Sequence, residues 1–169
     1  MITYREIKEF TKSFNMFESC IGFEFMLKFH ENLEIAEKLL QRVEKLKTES
    51  PGIKEYRKKG QSLYFEAAKK TPDGKPILEP VVDGDTVYQK YVIDPEKQTE
   101  LDKNLADLRD ANKDILAEHA EKLQEYYKAL ASEVKVKWVM IPKDEIPDNI
   151  SNKALNLLYR LKMINFKTQ

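Results

Sequence analysis

The sequence predicts a mainly α protein with a small β element, an α+β chain built as a long antiparallel helical hairpin or small bundle with a β-hairpin. Three observations predict it. From Asp94 to Ser132 there is no glycine and no proline after Pro95, and Leu101, Leu105, Leu108, Ile115, Leu116, Leu123, Tyr126, Tyr127 and Leu130 recur three and four apart. A second stretch, from about Ser19 to Thr48, has similar reach and its own apolar stripe. Between the two, Ile77–Val82 and Thr86–Ile93 flank Asp83-Gly84-Asp85, the pattern of a hairpin turn.

Taken in order, residues 1–18 hold an N-terminal helix. Thr3 and Glu6 form a capping box, and Ile7, Phe10, Phe14 and Phe17 share one face. Residues 19–70 hold further helices. The first is dense in Ile21, Phe23, Phe25, Met26, Leu27 and Phe29, then periodic through Leu33, Ala36, Leu40 and Val43. Ser50-Pro51-Gly52 ends it. The next runs from Ile53 to about Lys70, and Thr71-Pro72-Asp73-Gly74-Lys75-Pro76 is a turn. In the hairpin, 77–93, Pro80 marks the first strand as an edge or as irregular.

Asp94 fits an N-cap and Pro95 the first helical position of a long helix, 94–132. Unbroken, that helix measures about 50 Å at 1.5 Å per residue. Absence of interior proline favours the unbroken form; a break near Asn112 is the alternative. Residues 133–169 hold a strand and a C-terminal helix. Val134, Val136, Trp138 and Met140 alternate with Lys135 and Lys137, a strand with one buried face. Because the long helix separates it from the hairpin, this strand must pair with the N-terminal region or with another subunit. Asn149 or Ser151 caps the last helix, which carries Leu155, Leu157, Leu158, Leu161 and Ile164. The whole, 1–169, reads as a single elongated domain.

Lys+Arg and Asp+Glu each number 29, so the net charge is zero and nucleic acid is the less favoured partner. Charged residues make up 34% and hydrophobic ones 41%, which suits an elongated protein with much surface per unit of core. Cys20 is the only cysteine and sits among Phe17, Ile21 and Phe23, which reads as a small buried thiol. No window approaches about 18 uninterrupted apolar residues, and the N-terminus has no leader pattern, so a soluble chain without membrane contact is expected.

Chemistry is harder to place. His30 and His119 each lie on a helix, but no HExxH or Glu-x-x-His pattern surrounds them, and hydrogen-bonded helix histidines are the plainer reading. Asn112 and His119 fall on the stripe of the long helix and are candidates for register control; a drifting stripe would leave Asn112 at the rim. Lys54, Arg57, Lys58 and Lys59, with Tyr56 and Tyr64, combine basic and aromatic groups, but Glu55 interrupts them and a solvated helix face explains them as well. Asp83, Asp85 and Asp94 lack the spacing of a calcium loop. The five glycines form no phosphate loop, no serine sits in G-x-S-x-G, and Cys20 and His30 lie about 15 Å apart along one helix. No cofactor, no metal and no catalysis are expected. The candidate partner-binding residues are Lys54, Tyr56, Arg57, Lys58 and Lys59, with Asp83 and Asp85 at the hairpin tip.

Tyr91-Val92-Ile93-Asp94, the charged helix ending Glu125-Tyr126-Tyr127-Lys128-Ala129-Leu130, Glu133-Val134-Lys135-Val136 and Ile146-Pro147-Asp148-Asn149-Ile150 together resemble a group of small uncharacterised proteins of tailed phages and prophages. Lys69-Lys70-Thr71-Pro72-Asp73-Gly74-Lys75-Pro76 resembles the turn before the hairpin in that group. The likeness covers about Phe23 to Ile150 and carries no catalytic residues. It implies a phage or mobile-element origin and a place in the bacterial host cytoplasm or in a virion. The leading expectation is a non-enzymatic accessory protein that binds a host or phage protein, inhibition of a host defence system being one form. An alternative is a virion or assembly protein acting as a homo-oligomer. A second alternative is a nucleic-acid binder using Lys54–Lys59.

Overall fold

In the computed structural model the protein is mainly α with a small β component, and residues 1–84 and 86–165 are described. The elements in chain order are β1 (Ile2–Thr3), α1 (Tyr4–Thr11), α2 (Phe23–Leu46), α3 (Pro51–Ala67), β2 (Leu78–Asp83), β3 (Thr86–Tyr91), α4 (Gln98–Ala111), α5 (Lys113–Ala131), β4 (Glu133–Val134), β5 (Ile141–Pro142), α6 (Asn152–Arg160) and β6 (Ile164–Asn165). Short 3-10 turns occupy Phe14–Met16, Pro95–Lys97 and Lys143–Glu145. Among the described residues no helix is long and apolar enough to cross a membrane. The chain divides into two compact units, Met1–Thr48 with Lys122–Gln169, and Glu49–Glu121.

The first unit is built around an aromatic cluster. Thr3 caps α1 and the Thr3–Glu6 capping box is present, so α1 starts where the sequence places it. It ends at Thr11, short of the predicted 18, because the chain turns through Ser13, whose hydroxyl donates to Phe10 O at 2.6 Å. That turn lets Phe10 and Phe17 converge on Phe29 of α2, with ring centroids 5.4 and 4.3 Å apart. Trp138 joins at 5.9 Å from Phe10, and Ile141, Leu158, Leu161 and Met163 complete the core. Burying a side chain of this size contributes about 1.5–3 kcal/mol each, so this cluster is the main stabilising feature of the unit. Beside it, Val43 of α2 packs with Tyr126 and Leu130 of α5.

The predicted strand over 133–141 is ladder only at its ends. Ile2 pairs with Val134 and Thr3 with Glu133, antiparallel, so the N-terminal region is the partner. Ile141 pairs in parallel with Ile164. Between them Asn32 holds the backbone: its Nδ2 donates to Val139 O and Val139 N–H donates to its Oδ1, both at 2.8 Å. The inward phase shifts there. Val136 and Trp138 turn inward as expected, but Met140 is 41% exposed and Ile141 takes the inward position. Ser151 caps α6, accepting from Ala154 N–H at 3.2 Å. The helix stops at Arg160, and Ile164, expected within it, lies in β6.

The second unit contains a helical hairpin made of α3 and α4. They run antiparallel, since Gly60 faces Leu108 and Lys97, just before α4, donates from Nζ to Glu66 O near the end of α3 at 3.0 Å. A Cβ on Gly52 would stand 3.1 Å from Ile115 Cδ1, so glycine eases the close approach of the start of α3 to the first turn of α5. The expectation of one unbroken helix over 94–132 is corrected. Asp94 does cap its start, accepting from Glu96 N–H at 3.1 Å, but Asn112, at φ −119° and ψ 14°, separates α4 from α5. Its side-chain Nδ2 donates to Leu108 O at 2.8 Å while its backbone N–H turns to Arg109 O. A side-chain amide competing with the backbone is the reason.

Candidate interaction surface

The β2–β3 hairpin carries the features that set this surface apart. Its turn uses Gly84 at φ +58°, a conformation natural to glycine in a tight hairpin. The register pairs Leu78 with Tyr91, Glu79 with Lys90, Pro80 with Gln89, Val81 with Tyr88, Val82 with Val87 and Asp83 with Thr86. At the base three bonds interlock: Lys69 N–H to Val92 O (2.7 Å), Val92 N–H to Ile77 O (3.0 Å) and Ile77 N–H to Lys69 O (2.8 Å). The base is therefore fixed while the ribbon beyond it is open.

The Val92–Ile77 bond sets the bonding phase. Pair type alternates every residue in an antiparallel ladder, so Glu79–Lys90, Val81–Tyr88 and Asp83–Thr86 bond each other. Leu78, Pro80 and Val82, and opposite them Val87, Gln89 and Tyr91, then turn their backbone groups outward. Pro80 thus sits where a missing N–H removes no ladder bond, and it blunts the β2 edge. The β3 edge keeps every donor and acceptor.

The same alternation sorts the side chains. One face carries Glu79, Val81, Asp83, Thr86, Tyr88 and Lys90. The other carries Leu78, Pro80, Val82, Val87, Gln89 and Tyr91, apolar apart from the glutamine. Val82 and Val87, directly opposed, are 69% and 65% exposed. Phe65 of α3 extends this face at its base, edge-on to Tyr91 with centroids 6.2 Å apart, and Lys70 Nζ lies 5.6 Å from the Phe65 ring.

The other sequence candidates fall as follows. Lys54, Arg57, Lys58 and Lys59 are exposed on α3 and Tyr56 is half-buried beneath them. Arg57 pairs with Glu49, and Lys59 with Glu55 at 2.8 Å, a bond that holds the Glu55 carboxyl below its usual range. Lys58 and Lys59 line a groove of about 730 Å³ that Glu55 and Asp107 also line, so the patch is of mixed sign. Asp83 is exposed near the ribbon tip; Asp85 lies outside the described residues. His30 donates from Nδ1 to Met26 O at 2.8 Å and meets Phe14 and Phe29 edge-on. His119 is half-buried on α5 and Asn112 marks the helix break. Among the described residues no three His, Cys, Asp or Glu side chains are grouped to hold a metal ion. Cys20 is buried, and burial pushes its thiol up, away from the reactive thiolate.

Sequence reasoning missed one polar cluster. Lys8 Nζ bonds Glu44 Oε1 at 2.6 Å and also Tyr126 Oη, which itself donates to Glu44 at 3.1 Å. Burial pulls the Lys8 ammonium down, but its bonds to Glu44 and Tyr126 outweigh that and raise it. The Lys8 bond holds the Glu44 carboxyl low, against burial and with help from Tyr126. The three residues are 36 and 82 positions apart in sequence, so no local pattern announces them. No family model, curated protein or solved structure matches the chain.

Proposed function

We propose that the protein is a non-enzymatic binding protein whose apolar ribbon face, Leu78–Val82 with Val87–Tyr91, contacts another protein. The observation that carries this reading is the opposed, open pair Val82–Val87. A two-stranded ribbon with both faces in water is marginal unless something covers it, and exposed apolar patches on small proteins mark contact sites. Covering Leu78, Val82 and Val87 yields on the order of 1 kcal/mol each, and an added strand on the β3 edge supplies main-chain hydrogen bonds and register. The partner is a host or phage protein in the bacterial cytoplasm, with inhibition of a host defence system as one form. The test compares the wild type with the Val82→Lys/Val87→Lys double variant as bait in host lysate. A protein retained by the wild type and lost by the variant supports the reading; equal retention by both, or none by either, ends it.

A second reading, a virion or assembly protein acting as a homo-oligomer, is favoured by the β3 edge itself, which can pair with its own copy. Light scattering decides between them: a stable oligomer dispersed by the same double variant favours assembly, and a monomer at micromolar concentration excludes it.

A further inference from the structure

Among the described residues, the most exposed large apolar side chains after Met1 lie in the first unit, at the start of α2. Ile21 is 83% exposed and Phe23 79%, and Leu27, one turn beyond Phe23, is exposed on the same helix face. These residues are held in place. Asn149 accepts from Ile21 N–H at 3.4 Å and donates to Ser19 O at 2.5 Å, and Gly22 sits against Pro147. Residues 21–25 and 144–148 together form an open groove of about 450 Å³.

The rim of that groove is acidic. Glu24, Asp144, Glu145 and Asp148 line it, and no Lys or Arg does. Lys28 bonds both Glu145 oxygens at 2.5 Å and neutralises that carboxylate, which leaves Glu24, Asp144 and Asp148 exposed. Lys143 precedes Asp144 in the chain and is exposed, but does not line the groove. An apolar knob ringed by carboxylates repels a nucleic-acid backbone and an acidic peptide, and complements a segment of opposite charge.

We infer that this groove docks a basic, apolar segment of a partner protein, its lysines or arginines on Glu24, Asp144 and Asp148 and its apolar side chains against Ile21 and Phe23. This site shares no residue with the β2–β3 ribbon and does not depend on the function proposed for it.

The probe is a short labelled peptide of alternating lysine and leucine, titrated against the full chain by fluorescence anisotropy. Saturable binding is expected, weakened roughly tenfold by Phe23→Ser and about threefold by Asp144→Asn with Asp148→Asn or by ~1 M salt. Phe23 and both aspartates are exposed, so these variants keep the fold, and thermal melts check that they do. The inference is overturned if the peptide does not bind, if a glutamate–leucine or a lysine–serine peptide binds equally well, or if Phe23→Ser binds as tightly as the wild type. It is also overturned if the wild type self-associates through Phe23 in preference to the peptide, because the occupant is then a second copy.

Discussion

Asn32 holds Val139 by two 2.8 Å hydrogen bonds, the buried side-chain amide acting as a one-residue substitute for a neighbouring strand. Asn32 is fully buried, in a run of α2 whose inward face is otherwise Phe25, Phe29, Ala36 and Leu40. A buried polar group of this kind persists because both its donor and its acceptor are used. It also sets the phase of the chain that follows, bringing Trp138 and Ile141 into the core and leaving Met140 in water.

Asn32→Ala is expected to lower stability by about 3 kcal/mol, since it opens a cavity and strands the Val139 N–H and C=O. Urea melts followed by Trp138 fluorescence measure this, and the emission should shift red as the indole loses its packing. A loss below about 1 kcal/mol would show that water replaces the amide without penalty.

Asn112→Ala is expected to do the opposite. The Leu108 bond disappears, but alanine favours the helix by about half a kcal/mol over asparagine, so α4 and α5 should gain helicity at the break. Circular dichroism and a thermal melt test it. Destabilisation beyond about 1 kcal/mol would mean that the second unit needs the interruption.

The Lys8–Glu44–Tyr126 cluster predicts a pH window. Glu44 is held low, so its contribution is present above its unfolded value, near about 4.3, and lost as pH falls through the lower folded value. Lys8 is raised, so its contribution is present below about 10.4 and lost as pH rises through the higher folded value. Both side chains are partly exposed, and solvent screening limits the effect to about 1 kcal/mol. Glu44→Gln should therefore be less stable than the wild type at pH 7, and the gap should close as the pH falls through the lowered folded value of Glu44. A gap unchanged at acid pH would refute the assignment.

Pro80→Thr restores an outward N–H to the β2 edge without touching a ladder bond. Two open edges should raise concentration-dependent association over the wild type, read by light scattering, while the melting temperature stays within a few degrees. No increase in association would show that Pro80 does not guard that edge.

Much of the local structure follows from local residues. The Thr3–Glu6 box, the Asp94 cap and the hairpin about Gly84 each depend on side chains within three or four positions and stand where the sequence puts them, and of the two caps open for α6, Asn149 and Ser151, the helix uses Ser151. Pro80 at an edge was legible for the same reason. Asn32 left a fainter trace, a lone amide on a face otherwise filled by phenylalanine and alanine at helical spacing. Asn112 interrupts its apolar stripe, but helix formers on either side favour continuity, and only the reach of its amide to Leu108 O breaks the helix.

The sequence alone determined the α+β class, the capped helix starts and the position of the hairpin, because propensity, capping and period act over a few residues. Tertiary structure decided which surfaces pair. It placed α3 against α4, joined Ile2 to Val134, gathered Lys8, Glu44 and Tyr126, and left Val82–Val87 and Ile21–Phe23 in water. Those outcomes depend on long-range closure and on which apolar faces find partners, and periodicity cannot tell a stripe that finds one from a stripe that does not.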